Sequence, residues 1–277
     1  MLQHLNKLNL ESSGIKVYKN LIAPLPLPKL STTGEPRPYR SQDDTAGNGV
    51  KFTDRILTAR QSKWDMDIDY EEYRNKYLND GTDQPFAKWI VQQVAASYLA
   101  AINNKTMYLG VYNAAGTGAV DVATGFGTII AAEITATNLT PITTGALTTS
   151  NTVAGVELVT ESMPAWAKDE GGPVYCSYAT LEKYKKNYRT SYGYNFNKNE
   201  MGMFQLDNSK FWLEPASWMN NSQRIIATLK SNLAVGVEGT NVKVAASARR
   251  NVIETRPMFP IGFEIADLEC LAVNEQV

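Results

Sequence analysis

Between residues 48 and 73 apolar and polar side chains alternate one by one, and that period strongly restricts the local structure. Val50, Phe52 and Ile56 interleave with Lys51, Thr53 and Arg55. After a polar link, Arg60-Gln61-Ser62-Lys63, one face carries Trp64, Met66, Ile68 and Tyr70, and the other carries Asp65, Asp67, Asp69 and Glu71. A period of two is strand, because successive side chains of a pleated chain point to opposite faces. With Asn48-Gly49 as a turn signal, the segment reads as a hairpin of two strands of about ten residues, roughly 30–35 Å long. A lone two-stranded ribbon is marginal in water, so its apolar face has to rest on something else.

A second period follows. Phe86, Ile90, Val94 and Tyr98 recur every four residues, with Trp89, Ala101 and Ile102 beside them. Asp83 is placed to cap and Pro85 falls in the first turn. Residues 84–104 therefore read as an amphipathic helix of about twenty residues, roughly 30 Å long. Downstream, residues 105–155 are rich in Ala, Thr and Gly, with a short helix expected around Phe126, Ile129 and Ile130. Ser150 or Asn151 is positioned to cap a helix whose inner face is Val153, Val156, Val159 and Met163. Residues 173–177 read as a buried strand. Residues 178–189 read as a helix with Leu181, Tyr184 and Tyr188 inward and Gly193 as its stop. Strands are expected at 211–213, 224–230, 241–246 and 263–273. Helices and strands mix without a βαβ rhythm, which makes the fold class α+β.

Residues 1–46 read as an arm. Pro24, Pro26, Pro28, Pro36 and Pro38 lie in it. Proline fixes φ and removes a donor, so no regular element is expected to persist there. The arm is either disordered or ordered against another chain, and the second is favoured for an assembled state.

Several function classes fall away on composition. Lys plus Arg is 27 and Asp plus Glu is 28, so the basic excess of a nucleic-acid reader is missing. The only histidine is His4, in the arm; catalysis by Ser-His-Asp or Cys-His needs an imidazole positioned in a folded site. Two distant cysteines, Cys176 and Cys270, supply neither a disulfide framework nor a zinc site, and they fit synthesis in a reducing compartment. Cys176 sits in an apolar strand and reads as packing. No apolar run approaches the ~20 residues that span a bilayer, and residues 1–29 lack a signal-peptide pattern. Gly116-Thr117-Gly118 and Gly125-Phe126-Gly127 complete no phosphate-binding pattern and read as turns. The Lys183, Lys185, Lys186 run reads as a solvated helix face. No cofactor is implied, and no catalytic, cofactor-binding or metal-binding residue is assigned.

The one constellation with chemical potential is Asp65, Asp67 and Asp69. Such a face serves as a solvated strand edge that discourages unwanted pairing, as a contact for basic residues of a neighbouring subunit, or as an oxygen-rich cation site. Five Trp and fourteen Tyr suit either a core or an interface, where one side of the ring is packed and the other is wet.

The order of these pieces resembles the Hong Kong 97-like capsid fold of tailed double-stranded-DNA phages. Three stretches carry the resemblance: residues 108–113 with 125–130, residues 172–193, and the run 224–233, which is similar to a strand followed by Lys-x-Asn-Leu in phage capsid proteins. The resemblance implies an N-terminal arm (1–46), an extended hairpin loop (47–77), a peripheral domain with a spine helix (78–104), an axial domain (105–235) and returning peripheral strands (236–277). It implies a major capsid protein, not an enzyme, made in the host cytoplasm and residing in the virion capsid. Pentamers and hexamers of such a chain build an icosahedral shell around double-stranded DNA without sequence-specific binding and without a membrane. Portal and decoration proteins are candidate partners, and an arm of this length starting at Met1 implies a separate scaffold if one is used. Lys51 and Lys63 have no evident cross-linking partner. Intersubunit contacts are expected from Phe52, Ile56, Trp64, Met66, Asp65, Asp67 and Asp69, with Trp64 the anchor near the hairpin tip. An encapsulin-like compartment shell is the runner-up, and a small-molecule enzyme using carboxylates or lysine is a reading of a different class.

Overall fold

The computed structural model describes residues 10–32, 49–69, 86–194, 196–199, 202–238, 243–249 and 252–275. Its first sheet is organised by one long strand, β11 (Val252–Ile265). Along one edge β11 pairs with β10 (Lys243–Arg249) and then with β9 (Leu233–Val237). Along the other it pairs with β5 (Met66–Asp69) and then β4 (Arg60–Lys63). β4 and β5 keep one register, Lys63 opposite Met258 and Met66 opposite Thr255. The ladder lapses between them, where Pro257 of the facing strand has no N–H to give. β1 (Lys16–Lys19) extends the sheet by pairing parallel to β9.

The alternation of residues 60–69 is therefore strand, as expected, but its partner is β11. The strand of residues 50–57 pairs elsewhere. β3 (Val50–Leu57) is antiparallel to β2 (Leu25–Thr32), from Leu25 opposite Leu57 to Thr32 opposite Val50. The ribbon is thus built from 25–32 and 50–57, which corrects the hairpin placed at 48–73. It also corrects the expectation of no regular element in the Pro-rich stretch. Pro26 and Pro28 are two residues apart, so their nitrogens point the same way, and among the described residues β2 is an edge strand without a partner on its outer side. The arm's described part is ordered against its own chain. Leu10, Ile15, Leu21 and Leu27 are all buried.

A second sheet has the order β12 (Leu271–Val273), β8 (Ile226–Thr228), β6 (Pro173–Cys176) and β7 (Trp212–Pro215). Both of its faces are covered, so its strands are mostly apolar, with Glu214 and Thr228 the buried polar exceptions. One face, with Tyr175, Ile226, Leu271 and Val273, enters a core shared with the first sheet. That core also takes Tyr98, Leu99 and Ile102 from α1 (Phe86–Ala101) and the π-helical turn that follows it, and Phe126 and Ile130 from α2 (Phe126–Thr135). The ring of Trp218 joins these layers, with centroids 5.6 Å from Phe126 and 5.6 Å from Tyr175. Between the sheets and the helix, Tyr98 Oη meets Ser62 Oγ at 2.6 Å.

The opposite face, with Val174, Cys176, Leu213 and Ala227, packs on α3 (Thr152–Glu161), α4 (Ala165–Glu170) and α5 (Tyr178–Tyr192). Val153, Val156, Val159 and Met163 are buried on it, as are Leu181, Tyr184 and Tyr188. Ser177 Oγ accepts from the Thr180 N–H at 3.2 Å to start α5. Gly193, at φ +88°, ends it in a conformation that side chains resist.

The Lys-x-Asn-Leu segment has a structural reason. Asn232 Nδ2 donates to Thr228 Oγ1 and to the Asp267 carbonyl, both at 2.8 Å, and Asn232 Oδ1 accepts the Asp267 N–H at 2.7 Å. One amide thus ties the turn after β8 to the turn after β11. The following Leu233 opens β9, a strand the sequence reading did not separate. The boundary at residue 235 falls inside it, and β12 joins the second sheet rather than the first. Asp83, Pro85 and Tyr70 lie outside the described residues, as do the side chains of Phe86, Trp89, Ile90 and Ile68.

Candidate assembly interface

The β2–β3 ribbon has two unlike faces, and the parity of its sequence assigns them. Odd-numbered residues of both strands share the face that meets the body at the ribbon's base, while Lys51 and Thr53 farther out on it are exposed. Leu27 and Leu57 are buried there with Leu21 and Ala234 in a third small core. Two ion-pair clusters flank it. The Arg55 guanidinium reaches Glu133 of α2 at 2.7 Å and Glu264 of β11 at 2.8 Å. Lys29 Nζ lies 2.7 Å from Asp267 and 2.7 Å from Glu269. Burial pushes the Glu133 carboxyl up, but hydrogen bonds from Asn138 and Arg55 and the guanidinium charge outweigh it and hold the carboxyl below its usual range. Asp267 behaves alike: burial raises it, and Lys29 with the Glu269 N–H brings it down further. The base of the ribbon is thus pinned by charge and by apolar contact.

Even-numbered residues turn to solvent. Leu30 faces Phe52 across the strands and Pro26 faces Ile56. Leu30 is 59 % exposed, Val50 57 %, Phe52 70 % and Ile56 55 %. Pro28 and Asp54 complete the row between them. Scattered apolar residues on a surface are ordinary; here they share one face of the ribbon, in a row broken by exposed Asp54. Phe52 and Ile56 are the two sequence-stated candidates that lie on it. Pro26, Pro28 and Leu30 escaped the sequence reading, although the Leu-Pro-Leu-Pro-Lys-Leu alternation of residues 25–30 carries the signal.

The other candidates lie in the first sheet. Trp64 is half-buried against the first core, its ring centroid 6.4 Å from that of Tyr98. It sits between β4 and β5, not at a hairpin tip. Met66 is half-buried beside it. Asp65 is paired within the chain, to Lys63 at 2.9 Å and to Arg256 directly opposite on β11. The Lys63 hydrogen bond, then that of Arg256, hold its carboxyl below the usual range. Asp67 is exposed opposite Glu254, and Asp69 is exposed opposite Val252.

Both cysteine thiols are buried and held well above their ordinary range. Burial pushes the Cys176 thiol up to about 12, with the Glu214 charge adding to it. Cys270 is pushed up to about 12 by burial and by Asp267. His4 lies outside the described residues. Among the described residues no group of three His, Cys, Asp or Glu side chains is placed to hold a metal ion, and no helix is long and apolar enough to cross a membrane. The lysine run is less solvated than its spacing implied: Lys183 donates to the Leu147 carbonyl at 2.8 Å, and Lys185 lies over the Phe204 ring.

No protein-family model matches the chain, and no curated protein matches its sequence. Solved structures do match in fold. A chain of the satellite phage P4 procapsid, determined with its size-determination protein, aligns with a TM-score of 0.60 at 11 % identity, over 99 % of this chain and 90 % of its own. The capsid of Myoviridae phage XM1 aligns with a TM-score of 0.60 at 11 % identity, over 98 % and 92 %. The SrpI encapsulin of Synechococcus elongatus PCC 7942 aligns with a TM-score of 0.57 at 9 % identity, over 95 % and 85 %. The chain has the α+β fold of these shell proteins from one end to the other.

Proposed function

We propose that this chain is the major capsid protein of a bacteriophage, a non-enzymatic subunit whose copies close into an icosahedral shell around double-stranded DNA. The observation that carries the reading is the apolar outer face of the ribbon, on a fold whose named examples are shells. Among the described residues nothing of the single chain covers that face, and the base of the ribbon's other face is already packed against the body. A second copy can cover the outer face, and repetition of one such contact around symmetry axes closes a shell. The near balance of 27 basic and 28 acidic residues suits a container that is filled by other machinery, since strong affinity for its contents is then unnecessary.

Within this reading the ribbon takes the part of the extended loop, shifted toward the N-terminus from residues 47–77. α1 takes the part of the spine helix. The second sheet with α3 and α5 forms the axial domain that meets its copies in pentamers and hexamers. The first sheet forms the peripheral domain, with the returning strands 236–277. Assembly takes place in the host cytoplasm, with scaffold, portal and decoration proteins as partners, and the mature location is the virion. The likeness to an encapsulin supports shell building equally well, and contents separate the two readings. Size-exclusion chromatography of the purified chain, alone and with the neighbouring gene products of its source, is the first test. Megadalton particles or rings of five or six support the reading, and nuclease-protected DNA inside them favours the phage container over the cargo compartment. A monomer under every condition overturns it.

A further inference from the structure

Where the two large cores meet, a half-open cavity of about 620 Å³ lies between α5 and the end of β7. Its wall includes Glu214, only 8 % exposed. The strand's alternation puts it there: Leu213 enters the second core, and Glu214 sits beside Tyr175 on the opposite face. Among the described residues Glu214 Oε2 finds no hydrogen-bond partner. The indole N–H of Trp212 acts on the carboxyl weakly, without completing a hydrogen bond, so that Trp212 Nε1 is also left without a partner. Tyr178, Phe204 and Trp218 are among the residues of the same lining, the Trp218 ring itself being packed in the first core. A buried ionised carboxylate is costly unless it is paired, and a glutamine of the same shape would avoid that cost. A carboxylate set among aromatic faces is the chemistry that recognises an organic cation, through charge on one side and ring quadrupoles on the other.

We propose that this cavity binds an alkylammonium or guanidinium group, which pairs with Glu214 and lies beside Tyr178 and Phe204. The group comes either from a free small amine or from a Lys or Arg side chain of a second copy of the chain. The lining already holds one cation of this chain, Lys185, whose Nζ lies over the Phe204 ring at 4.9 Å and which a bound cation has to compete with or displace; Lys230 Nζ is over the Trp212 ring at 4.9 Å. Glu182 on α5 is the second acid of the lining. On β6, Tyr175 and Cys176 are both raised, first by burial and then by the Glu214 charge, so neither ionises where Glu214 does.

The proposal does not depend on the capsid reading, and the free chain tests it. Purified protein is titrated with n-butylammonium and with methylguanidinium by isothermal calorimetry, at constant total ionic strength. Saturable binding is expected, weaker by at least about tenfold in Glu214→Gln, whose circular dichroism should match the parent. Burial pushes the Glu214 carboxyl up to about 7, so it is mostly ionised at pH 8 and mostly neutral at pH 6. Affinity in the unmodified chain should therefore fall about tenfold between those values, a readout that survives even if the variant fails to fold. Probe binding that is lost in assembled particles assigns the site to a neighbour's side chain, and binding retained there assigns it to a free amine. Absence of saturable binding by either probe, or binding that ignores both pH and a folded Glu214→Gln, overturns the proposal.

Discussion

Truncating Phe52 to Ala separates the ribbon's role in assembly from any role in folding. The side chain is 70 % exposed in the single chain, and its cross-strand neighbour Leu30 is exposed with it. Fully burying a phenylalanine contributes about 1.5–3 kcal/mol, so covering the exposed share contributes roughly 1–2 kcal/mol per contact. The single chain has little of this to lose, and its stability should move by no more than about 0.5 kcal/mol. A loss of 1–2 kcal/mol weakens one contact by roughly five- to thirtyfold. Each copy in a closed shell repeats that loss, so yield should collapse although each single loss is modest. Thermal unfolding followed by circular dichroism reads the chain, and particle counts by negative-stain microscopy read the shell. An unchanged melting temperature with few or no particles is expected. Normal particle counts would show that the strip stays in solvent after assembly, and the reasoning from its exposure would be wrong.

Five further outcomes follow from the same structure. Trp64→Ala removes a half-buried ring packed near Tyr98, so it should destabilise the chain itself by about 1–3 kcal/mol; an unchanged melting temperature would place its ring outside the core. Glu133 and Asp267 are held below their ordinary ranges, so their stabilisation is present above their unfolded values and is lost as pH falls through the folded ones. The contribution of these two carboxylates should be constant from neutral pH to about 5 and be lost below it; Glu214, pushed up to about 7 by burial, destabilises the fold where it is ionised, so the melting temperature should rise somewhat from pH 8 to about 5 before it drops. Arg55→Met should cost about 1–2 kcal/mol at pH 7 and flatten that acid limb, and a limb of the parent's steepness would assign the acid sensitivity elsewhere. Gly262→Ala would put a Cβ 2.1 Å from the Thr58 carbonyl oxygen and should cost about 2 kcal/mol or more, whereas a variant as stable as the parent would mean that the turn after β3 yields. Cys176 and Cys270, buried with thiols pushed up to about 12, should resist iodoacetamide at pH 8 until guanidinium unfolds the chain; rapid labelling of the native protein would contradict their burial.

Local periods were legible and long-range partners were not. The four-residue repeat through Val94 and Tyr98 located α1, and the spacing of Val153, Val156 and Val159 located the buried face of α3. Alternation likewise told which residues of 50–57 and 60–69 share a face. It could not tell what each strand pairs with, because a period of two is the same whichever chain segment lies alongside. The hairpin was therefore closed locally, while the real partners are 25–32 and 252–265. Proline content hid β2, since the residues that normally break a ladder are tolerated on an edge when they all fall on the open side. β9 was missed for a different reason. Leu233-Ala-Val-Gly-Val237 is buried on both faces, and such a run shows no alternation to read. Of the contact candidates, Phe52 and Ile56 keep their place on an exposed strip. Trp64 shows the limit of the method, because an aromatic on an alternating strand looks the same whether it faces its own helix or a neighbour.

Cryo-electron microscopy of the assembled product tests the central claim most directly. The expected map is a closed icosahedral particle in which the strip of Leu30, Phe52 and Ile56 lies against the body of an adjacent copy. Only isolated subunits on the grid under every assembly condition, or a closed particle with that strip left facing solvent, would contradict it.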